Sequence, residues 1–191
     1  TCCRTGKQEM EKFCTEHSIA WDKCGKVVVA TSEAELSRLD NIAERASLNG
    51  VQCERINSDQ LRELEPAAAG ISALHVPETG IVNYRSVCEK MAEILVTGGA
   101  SIELGFELIG IRDVGSGLEL QGKAGQNIQT GKLINCGGLQ SDRVCKMAGI
   151  KTNLKVVPFR GEYYELAPRS EALCRNLIYP VPDPSFPFLG V

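Results

Sequence analysis

The chain has 191 residues, enough for one domain or two small lobes around a core that needs no disulfides or metals. Its net charge is −3 with a pI near 5.5, and charges of both signs alternate along it, which excludes a nucleic-acid surface of clustered Lys and Arg. No run approaches the roughly 18–20 apolar residues that cross a bilayer, so we expect no transmembrane segment. The chain does not begin with Met, and we expect it to be an interior piece of a longer protein.

One helix–strand unit and a second helix are predicted in the first fifty residues. Apolar spacing predicts a helix at 7–17 and a short strand at 26–30. Ser32 and Glu35 have the spacing of a capping box, in which each side chain bonds the backbone of the other residue, and they start a second helix. That helix should end at Asn49-Gly50, since a left-handed residue after a helix is most easily Gly.

A strand, a short helix and a second strand are predicted next. Residues 53–56 predict a strand, and 59–65 predict a short helix that Pro66 stops. A second strand is predicted at 71–76, with a turn at 77–80.

The clearest helical pattern comes next. Val87, Met91, Ile94 and Leu95 recur at helical spacing, and the pattern ends at Gly98-Gly99. These four side chains are therefore expected to lie on one face of the helix.

The following segment predicts a meander of hairpins and then further helix and strand. Its strands are expected at 100–104, 106–114, 118–123 and 128–135. Gly115-Ser116-Gly117 is interpreted as a hairpin loop, because a dinucleotide fingerprint needs a third Gly and a following helix. The remaining predicted elements are a helix at 141–148, a strand at 155–166, a helical turn at 171–175 and an extended stretch at 177–191. Hairpins together with helix-linked strands predict an α+β, or mixed α/β, fold.

The nine cysteines do not have metal-site spacing. There is no Cys-x-x-Cys and there are only two histidines, so we expect no metal site. The odd count and the absence of an N-x-S/T sequon are typical of reduced thiols in a cytoplasm.

Several stretches carry a family resemblance: 24–30, 75–85, 133–143, and 157–166 together with 178–191. Together they resemble the L-2-hydroxyglutarate dehydrogenase or oxidase family within the D-amino-acid-oxidase-like FAD-dependent oxidoreductases. The resemblance implies a substrate domain plus a partial FAD-binding domain. It divides the chain into a first substrate-domain segment (1–78), a partial FAD-domain segment (79–150) and a second substrate-domain segment (151–191).

The resemblance also implies cofactor contacts. The strand ending at Asn135 would reach the flavin, where backbone at small residues can approach the dinucleotide, and Leu108 would meet the adenine by its backbone. The expected FAD-binding residues are Leu108, Cys136, Gly137, Gly138 and Leu139. The alternative is a strand-to-helix turn that needs glycine for its own geometry, with Leu108 a core residue.

Substrate contacts are expected from Arg160 and Tyr179. A dicarboxylate needs cationic partners, and a guanidinium offers a planar, bidentate donor set. Alternatively, Arg160 forms a structural ion pair with Glu162 or Asp142, and Tyr179 is a core residue. His75 is interpreted as a strand histidine and not as a base.

The function that the resemblance implies is FAD-dependent oxidation of L-2-hydroxyglutarate to 2-oxoglutarate, with oxygen or a quinone as electron acceptor. It implies a cytoplasmic location and leaves peripheral membrane contact open. The family's N-terminal Gly-x-Gly-x-x-Gly is absent, as is the histidine that follows the position of Val191. We therefore expect the catalytic base to lie outside this chain, and the chain alone to be inactive and to bind FAD weakly or not at all.

Two alternatives remain at this stage. One is another FAD-dependent oxidoreductase of the superfamily, acting on an amino acid or on glycerol 3-phosphate. The other is a non-catalytic binding module that retains the fold.

Overall fold

The computed structural model describes residues 2–185 and divides the chain into two compact units. Unit 1 comprises Thr1–Ile94 and Glu165–Val191, and unit 2 comprises Leu95–Tyr164. These bounds differ from the predicted boundaries at 78/79 and 150/151, and the assignment of each segment to FAD or to substrate stays a prediction. Helices, strands and antiparallel hairpins are all present, so the mixed α/β fold class is confirmed.

The helices and strands are numbered in chain order. The helices are α1 Cys2–Glu16, α2 Leu36–Leu48, α3 Ser58–Leu64, α4 Tyr84–Thr97 and α5 Ser141–Met147, with 3-10 turns at Glu33–Glu35, Gly138–Gln140 and Pro168–Leu173. The strands are β1 Trp21–Asp22, β2 Lys26–Ala30, β3 Glu54–Asn57, β4 Ser72–Val76, β5 Ile81–Val82, β6 Leu108–Asp113, β7 Leu118–Gly122, β8 Asn127–Thr130 and β9 Leu177–Pro180.

A four-stranded sheet in the order β3-β4-β2-β9 forms the centre of unit 1. Strand β2 runs antiparallel to β4 and parallel to β9, so the last strand that the structure describes pairs with an early one. Four of the five residues of β2, Val27 to Ala30, are buried, so both faces of the sheet are covered at this strand. Burial of each of its valines contributes about 1.5–3 kcal/mol.

The two faces of this sheet are packed by different helices. On one face, Leu61 of α3 packs with side chains of the three strands β2, β3 and β4, namely Val27, Val29, Ile56 and Ala73. On the other face, Leu39 of α2 packs with Val28, Ala30, Leu74 and Val181. A third cluster, Cys14, Ile19 and Val87, joins α1 to α4 beside the short β1–β5 pair.

The predicted capping box is confirmed, at the 3-10 turn Glu33–Glu35 that leads into α2. The Glu35 carboxylate accepts hydrogen bonds from the backbone N–H groups of Thr31, at 2.6 Å, and Ser32, at 3.0 Å. These bonds, the one from Thr31 N–H above all, lower the pKa of Glu35 against a smaller opposing effect of burial. The helix ends with Asn49 as its C-cap, as predicted.

Unit 2 contains a three-stranded antiparallel meander, β6-β7-β8. The predicted loop at 115–117 connects β6 to β7, which confirms it as a hairpin connection. The buried side chain in this meander is Glu119, whose carboxylate accepts hydrogen bonds from Arg112 (2.7 Å), Gln129 (2.9 Å) and Gln121 (3.3 Å).

The partners of Glu119 offset the cost of burying its charge. Burial alone would raise the pKa of Glu119, but the hydrogen bond from Gln121, the positive charge of Arg112 and the hydrogen bond from Gln129 outweigh it. The pKa is therefore lowered, and the carboxylate is held in its ionised form.

Two predicted strands do not form, and a third is shorter than predicted. The predicted helical turn at 171–175 overlaps the 3-10 turn Pro168–Leu173 only in part. No strand structure is found at 100–104, at 155–166, or at 131–135, which is the end of the strand predicted at 128–135. A strand persists only where a neighbour pairs with its backbone, and none of the sheets formed by residues 2–185 includes these stretches.

The predicted face of α4 is buried only in part. Val87 is 3% exposed, whereas Met91, Ile94 and Leu95 are 43%, 44% and 55% exposed. The helical period is thus confirmed, and the face that it defines is buried only at Val87. The described region of the chain contains no helix with the length and apolarity to cross a membrane.

Candidate functional site

A tight turn at 135–141 leads into α5 and carries most of the predicted cofactor residues. The Asn135 side chain closes it from both sides, because its Oδ1 accepts from the Gly137 N–H (3.0 Å) and its Nδ2 donates to the Ser141 carbonyl (2.9 Å). The Ser141 hydroxyl in turn donates to the Gly138 carbonyl at 2.6 Å. The turn is therefore preorganised by its own side chains.

The two glycines of this turn are required for different reasons. A Cβ atom at Gly137 would lie 3.1 Å from Asn135 Oδ1 and 3.5 Å from Val144 Cγ2, so the site is crowded. Gly138 has open space around it, but its φ of +53° is one that side-chain-bearing residues rarely adopt. The predicted alternative, glycine needed by the turn itself, thus has direct structural support, and the backbone at Gly138 is also open to an approaching group.

The rest of this surface is exposed and partly apolar. Cys136 is exposed and Leu139 is 60% exposed. Leu108 is half-buried at the start of β6, where a register irregularity separates it from Gly110. Helix α5 packs against β6, so one unit brings the turn and the strand of Leu108 into the same neighbourhood.

Arg160 lies outside regular secondary structure and is almost fully solvent-exposed. Its side chain is 88% exposed, and its Nε is 3.8 Å from Glu162 Oε1, one of the two ion-pair partners that the sequence suggests. At that distance and exposure the pair contributes little, about 0–1 kcal/mol. The Arg160 guanidinium is therefore held only weakly by Glu162.

Tyr179 lies in β9 and is half-buried. It packs against the cluster of Val28, Leu39 and Leu74, and the Lys26 ammonium lies 4.8 Å from the centre of its ring. Tyr179 belongs to unit 1 and Arg160 to unit 2. His75 lies in β4, as predicted, opposite Val27 and Glu54.

Sequence reasoning missed Glu65, which is 0% exposed. Its carboxylate accepts hydrogen bonds from the backbone N–H groups of Arg175 and Asn176, more than a hundred residues away. No sequence signal distinguishes this acid from the exposed Glu63 two residues earlier, because both lie in the same polar helix end.

A cavity of about 480 Å³ in unit 1 was also missed. It lies between α1 and the segment from Val76 to Tyr84, and Trp21 and Met10 are among its lining residues. None of the predicted FAD or substrate residues lines it.

Thiols and acids do not gather into a metal site. Across residues 2–185 no group of three or more His, Cys, Asp or Glu side chains could hold a metal ion, and all nine cysteines are free. Partial desolvation raises the pKa of the Cys174 thiol, and the negative charge of Glu65 adds to this effect.

Comparison with known protein families gives one match over almost the whole chain. The family model described as FAD dependent oxidoreductase (DAO) matches residues 2–191.

Named relatives share one activity. The chain is 40% identical over 189 residues to L-2-hydroxyglutarate dehydrogenase of Escherichia coli K12 and 43% identical over 191 residues to that of Indibacter alkaliphilus. It is 40% identical to the mitochondrial L-2-hydroxyglutarate dehydrogenase of Caenorhabditis elegans. Each alignment covers 99% of this chain but only 45–48% of the relative, so the chain spans about half the length of the curated relatives it matches.

Solved structures support the fold alone. L-Proline dehydrogenase from P. horikoshii aligns over 93% of this chain and 48% of its own, with a TM-score of 0.76 at 16% identity. Glycine oxidase from Geobacillus kaustophilus aligns over 74% of this chain and 39% of its own, with a TM-score of 0.65 at 21% identity.

Proposed function

This chain belongs to the FAD dependent oxidoreductase family, and we propose that the full-length protein oxidises L-2-hydroxyglutarate to 2-oxoglutarate. The observation that carries the proposal is the shared name of the relatives, which are L-2-hydroxyglutarate dehydrogenases in two distant bacteria and in an animal. The alignment covers 99% of the chain at 40% identity, so its span includes the turn at 135–141 and the position of Arg160.

The cofactor side of the proposal rests on the turn at 135–141. Backbone at Cys136 and Gly138 is accessible, and an open glycine allows a closer approach than any side-chain-bearing residue. These features fit a dinucleotide, so the residues proposed to hold FAD are Leu108, Cys136, Gly137, Gly138 and Leu139. When bound, FAD supplies the two-electron oxidising chemistry that amino-acid side chains lack.

The substrate side rests on Arg160. L-2-Hydroxyglutarate carries two carboxylates, and a bidentate guanidinium contact is the strongest neutralisation that a side chain offers. Because the Arg160–Glu162 pair is long and exposed, little interaction energy is lost when a substrate carboxylate takes the place of Glu162 beside Arg160. Tyr179 is proposed as an aromatic wall, since its ring already packs against the core and beneath Lys26.

The domain assignment follows from these roles. We infer that 79–150 contributes to FAD binding and that 1–78 and 151–191 contribute to the substrate domain. Oxidation removes the hydrogen on the substrate C2 together with the hydroxyl proton, and that proton needs a base. The base is proposed to come from a region of the full-length protein outside this chain.

The electron acceptor is proposed to be oxygen or a quinone, and the location the cytoplasm. Nine free thiols without a sequon support a reducing compartment. Peripheral contact with a membrane would accompany a quinone acceptor.

The proposal is tested by steady-state kinetics on the full-length protein purified with its flavin. L-2-Hydroxyglutarate is compared with its D-isomer, with glycine and L-proline, and with glycerol 3-phosphate, using both oxygen and an artificial quinone as acceptors. We expect the highest kcat/KM for L-2-hydroxyglutarate. A higher kcat/KM for an amino acid or for glycerol 3-phosphate would replace the proposal with another oxidase activity. If the full-length protein instead purifies without flavin and shows no turnover after FAD is added, the result would support a binding module.

A further inference from the structure

We propose that Glu65 is a positioning residue, whose buried carboxylate fixes the start of β9 and thereby the register of the strand that carries Tyr179. The burial of this carboxylate is unusual. Glu65 is 0% exposed, although a carboxylate is costly to remove from water unless hydrogen bonds replace its hydration.

The hydrogen bonds that replace the hydration of Glu65 come from backbone N–H groups alone. The Arg175 N–H lies 3.0 Å and 3.1 Å from the two carboxylate oxygens of Glu65, and the Asn176 N–H donates to the first of these oxygens. Hydrogen bonds to an ionised acceptor are the stronger kind, and two consecutive amides directed at one carboxylate fix the local backbone direction.

These two amides stand directly before the strand. The ladder between β2 and β9 begins with the pair Lys26 and Leu177, and the Leu177 N–H donates to the Gly25 carbonyl at 3.0 Å. Without Glu65, the N–H groups of Arg175 and Asn176 would have no protein acceptor at the point where the chain enters the sheet. The carboxylate therefore fixes the backbone at the point where the loop ends and β9 begins.

A second contact reinforces the first. The Asn176 Nδ2 donates to the Cys24 carbonyl, so the residue held by Glu65 also holds the segment that leads into β2. The N-terminal ends of β2 and β9, about 150 residues apart in sequence, are thus tied to each other and to the C-terminal end of α3.

Register matters here because β9 is short and lies at an edge. It has four residues, and within residues 2–185 its only partner strand is β2. A slip of one residue would exchange the two faces of the strand and take Tyr179 away from the Val28 and Leu74 cluster. The catalytic consequence rests on the proposed function, in which this strand belongs to the substrate domain.

The structural step is tested first, on the 191-residue chain, by hydrogen exchange at the amides of Arg175, Asn176 and Leu177. Glu65→Gln keeps the size of the side chain but replaces one acceptor oxygen with a donor group. We expect protection at these amides to fall by about ten-fold or more, with β4 unchanged. Glu63→Gln, an exposed change on the same helix, is the matched control and should change nothing.

Should Glu65→Gln not fold, Glu65→Asp keeps the charge but shortens its reach, and its protection should fall at the same three amides. Parent-like protection in whichever variant folds overturns the proposal, whatever reaction the enzyme catalyses.

The functional step is tested on the full-length enzyme. Glu65→Gln should raise KM for L-2-hydroxyglutarate by about five-fold or more at unchanged flavin content, with a smaller change in kcat. Leu61→Ala, a core change on the same helix, should lower Tm without raising KM. If both variants raise KM equally, Glu65 acts through stability only and the positioning role is overturned. If the parent does not turn over L-2-hydroxyglutarate, the proposed function fails, and the hydrogen-exchange result still decides the role of Glu65 in the fold.

Discussion

Units 1 and 2 are held together by different forces. All buried hydrophobic side chains among residues 2–185 lie in unit 1, on the two faces of its sheet and between α1 and α4. In unit 2 the buried side chain is a carboxylate, Glu119, surrounded by polar donors, while Leu104, Ile134 and Leu154 are 80–90% exposed. A hydrophobic core accounts for unit 1, whereas hairpin hydrogen bonds and one polar network account for unit 2.

The largest stability effect is therefore expected in unit 1. Leu61→Ala removes a fully buried side chain between α3 and the sheet, and the resulting cavity should lower the free energy of unfolding by about 2–5 kcal/mol. Urea denaturation measures this value. Leu104→Ala in unit 2 is the control, because a side chain that is 90% exposed should change stability by less than about 0.5 kcal/mol. Equal losses for the two variants would remove the distinction between the units.

The same difference explains which elements could be predicted from the sequence. Strands β2 and β4 were predicted because their apolar pattern matches the sheet that they form, and both find partners inside the chain. Residues 155–166 have a comparable pattern, but no strand among residues 2–185 pairs with them, and Tyr163 and Tyr164 are 93% and 98% exposed. A local pattern indicates the tendency to form a strand, whereas pairing depends on the rest of the protein.

The candidate site likewise contains local features that the sequence predicts and long-range contacts that it does not. The glycine turn at 135–141 was predictable because Asn135 and Gly138 act within a few residues of sequence. The contact of Glu65 with Arg175 was not, because the two residues are 110 positions apart and an acidic residue before Pro66 is usually exposed.

In unit 2 the largest functional effect is expected at Arg160. In the full-length enzyme, Arg160→Ala should reduce kcat/KM for L-2-hydroxyglutarate about thirty- to a thousand-fold, or about 2–4 kcal/mol, because one substrate carboxylate loses a charged partner. Arg160→Lys should recover only a fraction of this loss. Tm and flavin content should stay unchanged, since the side chain is 88% exposed. A decrease below about three-fold, or a lowered Tm, would make Arg160 a structural residue.

Acid should weaken unit 2 through Glu119. The pKa of this carboxyl lies below its ordinary value of 4.5 in the folded chain, so its ionised form stabilises the meander at neutral pH. That stabilisation is lost as the pH falls from the ordinary value through the lowered one. Glu119→Gln should therefore make hydrogen exchange in β7 less dependent on pH between about 6 and 3, relative to the parent. Glu103→Gln, at an exposed glutamate of the same unit, should leave the pH dependence intact.

The smallest effect is expected at the capping box of α2. Glu35→Ala removes the acceptor for the N–H groups of Thr31 and Ser32 and should cost about 0.5–1 kcal/mol in urea denaturation. Glu33→Ala in the same turn should cost less, because no capping bond is lost with it. An equal or larger loss for Glu33→Ala would mean that negative charge near the helix start matters more than the capping geometry.

The proposed oxidation is tested most directly by anaerobic titration of the flavin in the full-length protein. L-2-Hydroxyglutarate should bleach the visible flavin absorbance with one equivalent of substrate per flavin and yield 2-oxoglutarate, while the D-isomer should leave the flavin oxidised. Flavin that stays oxidised with excess L-2-hydroxyglutarate would contradict the proposed function.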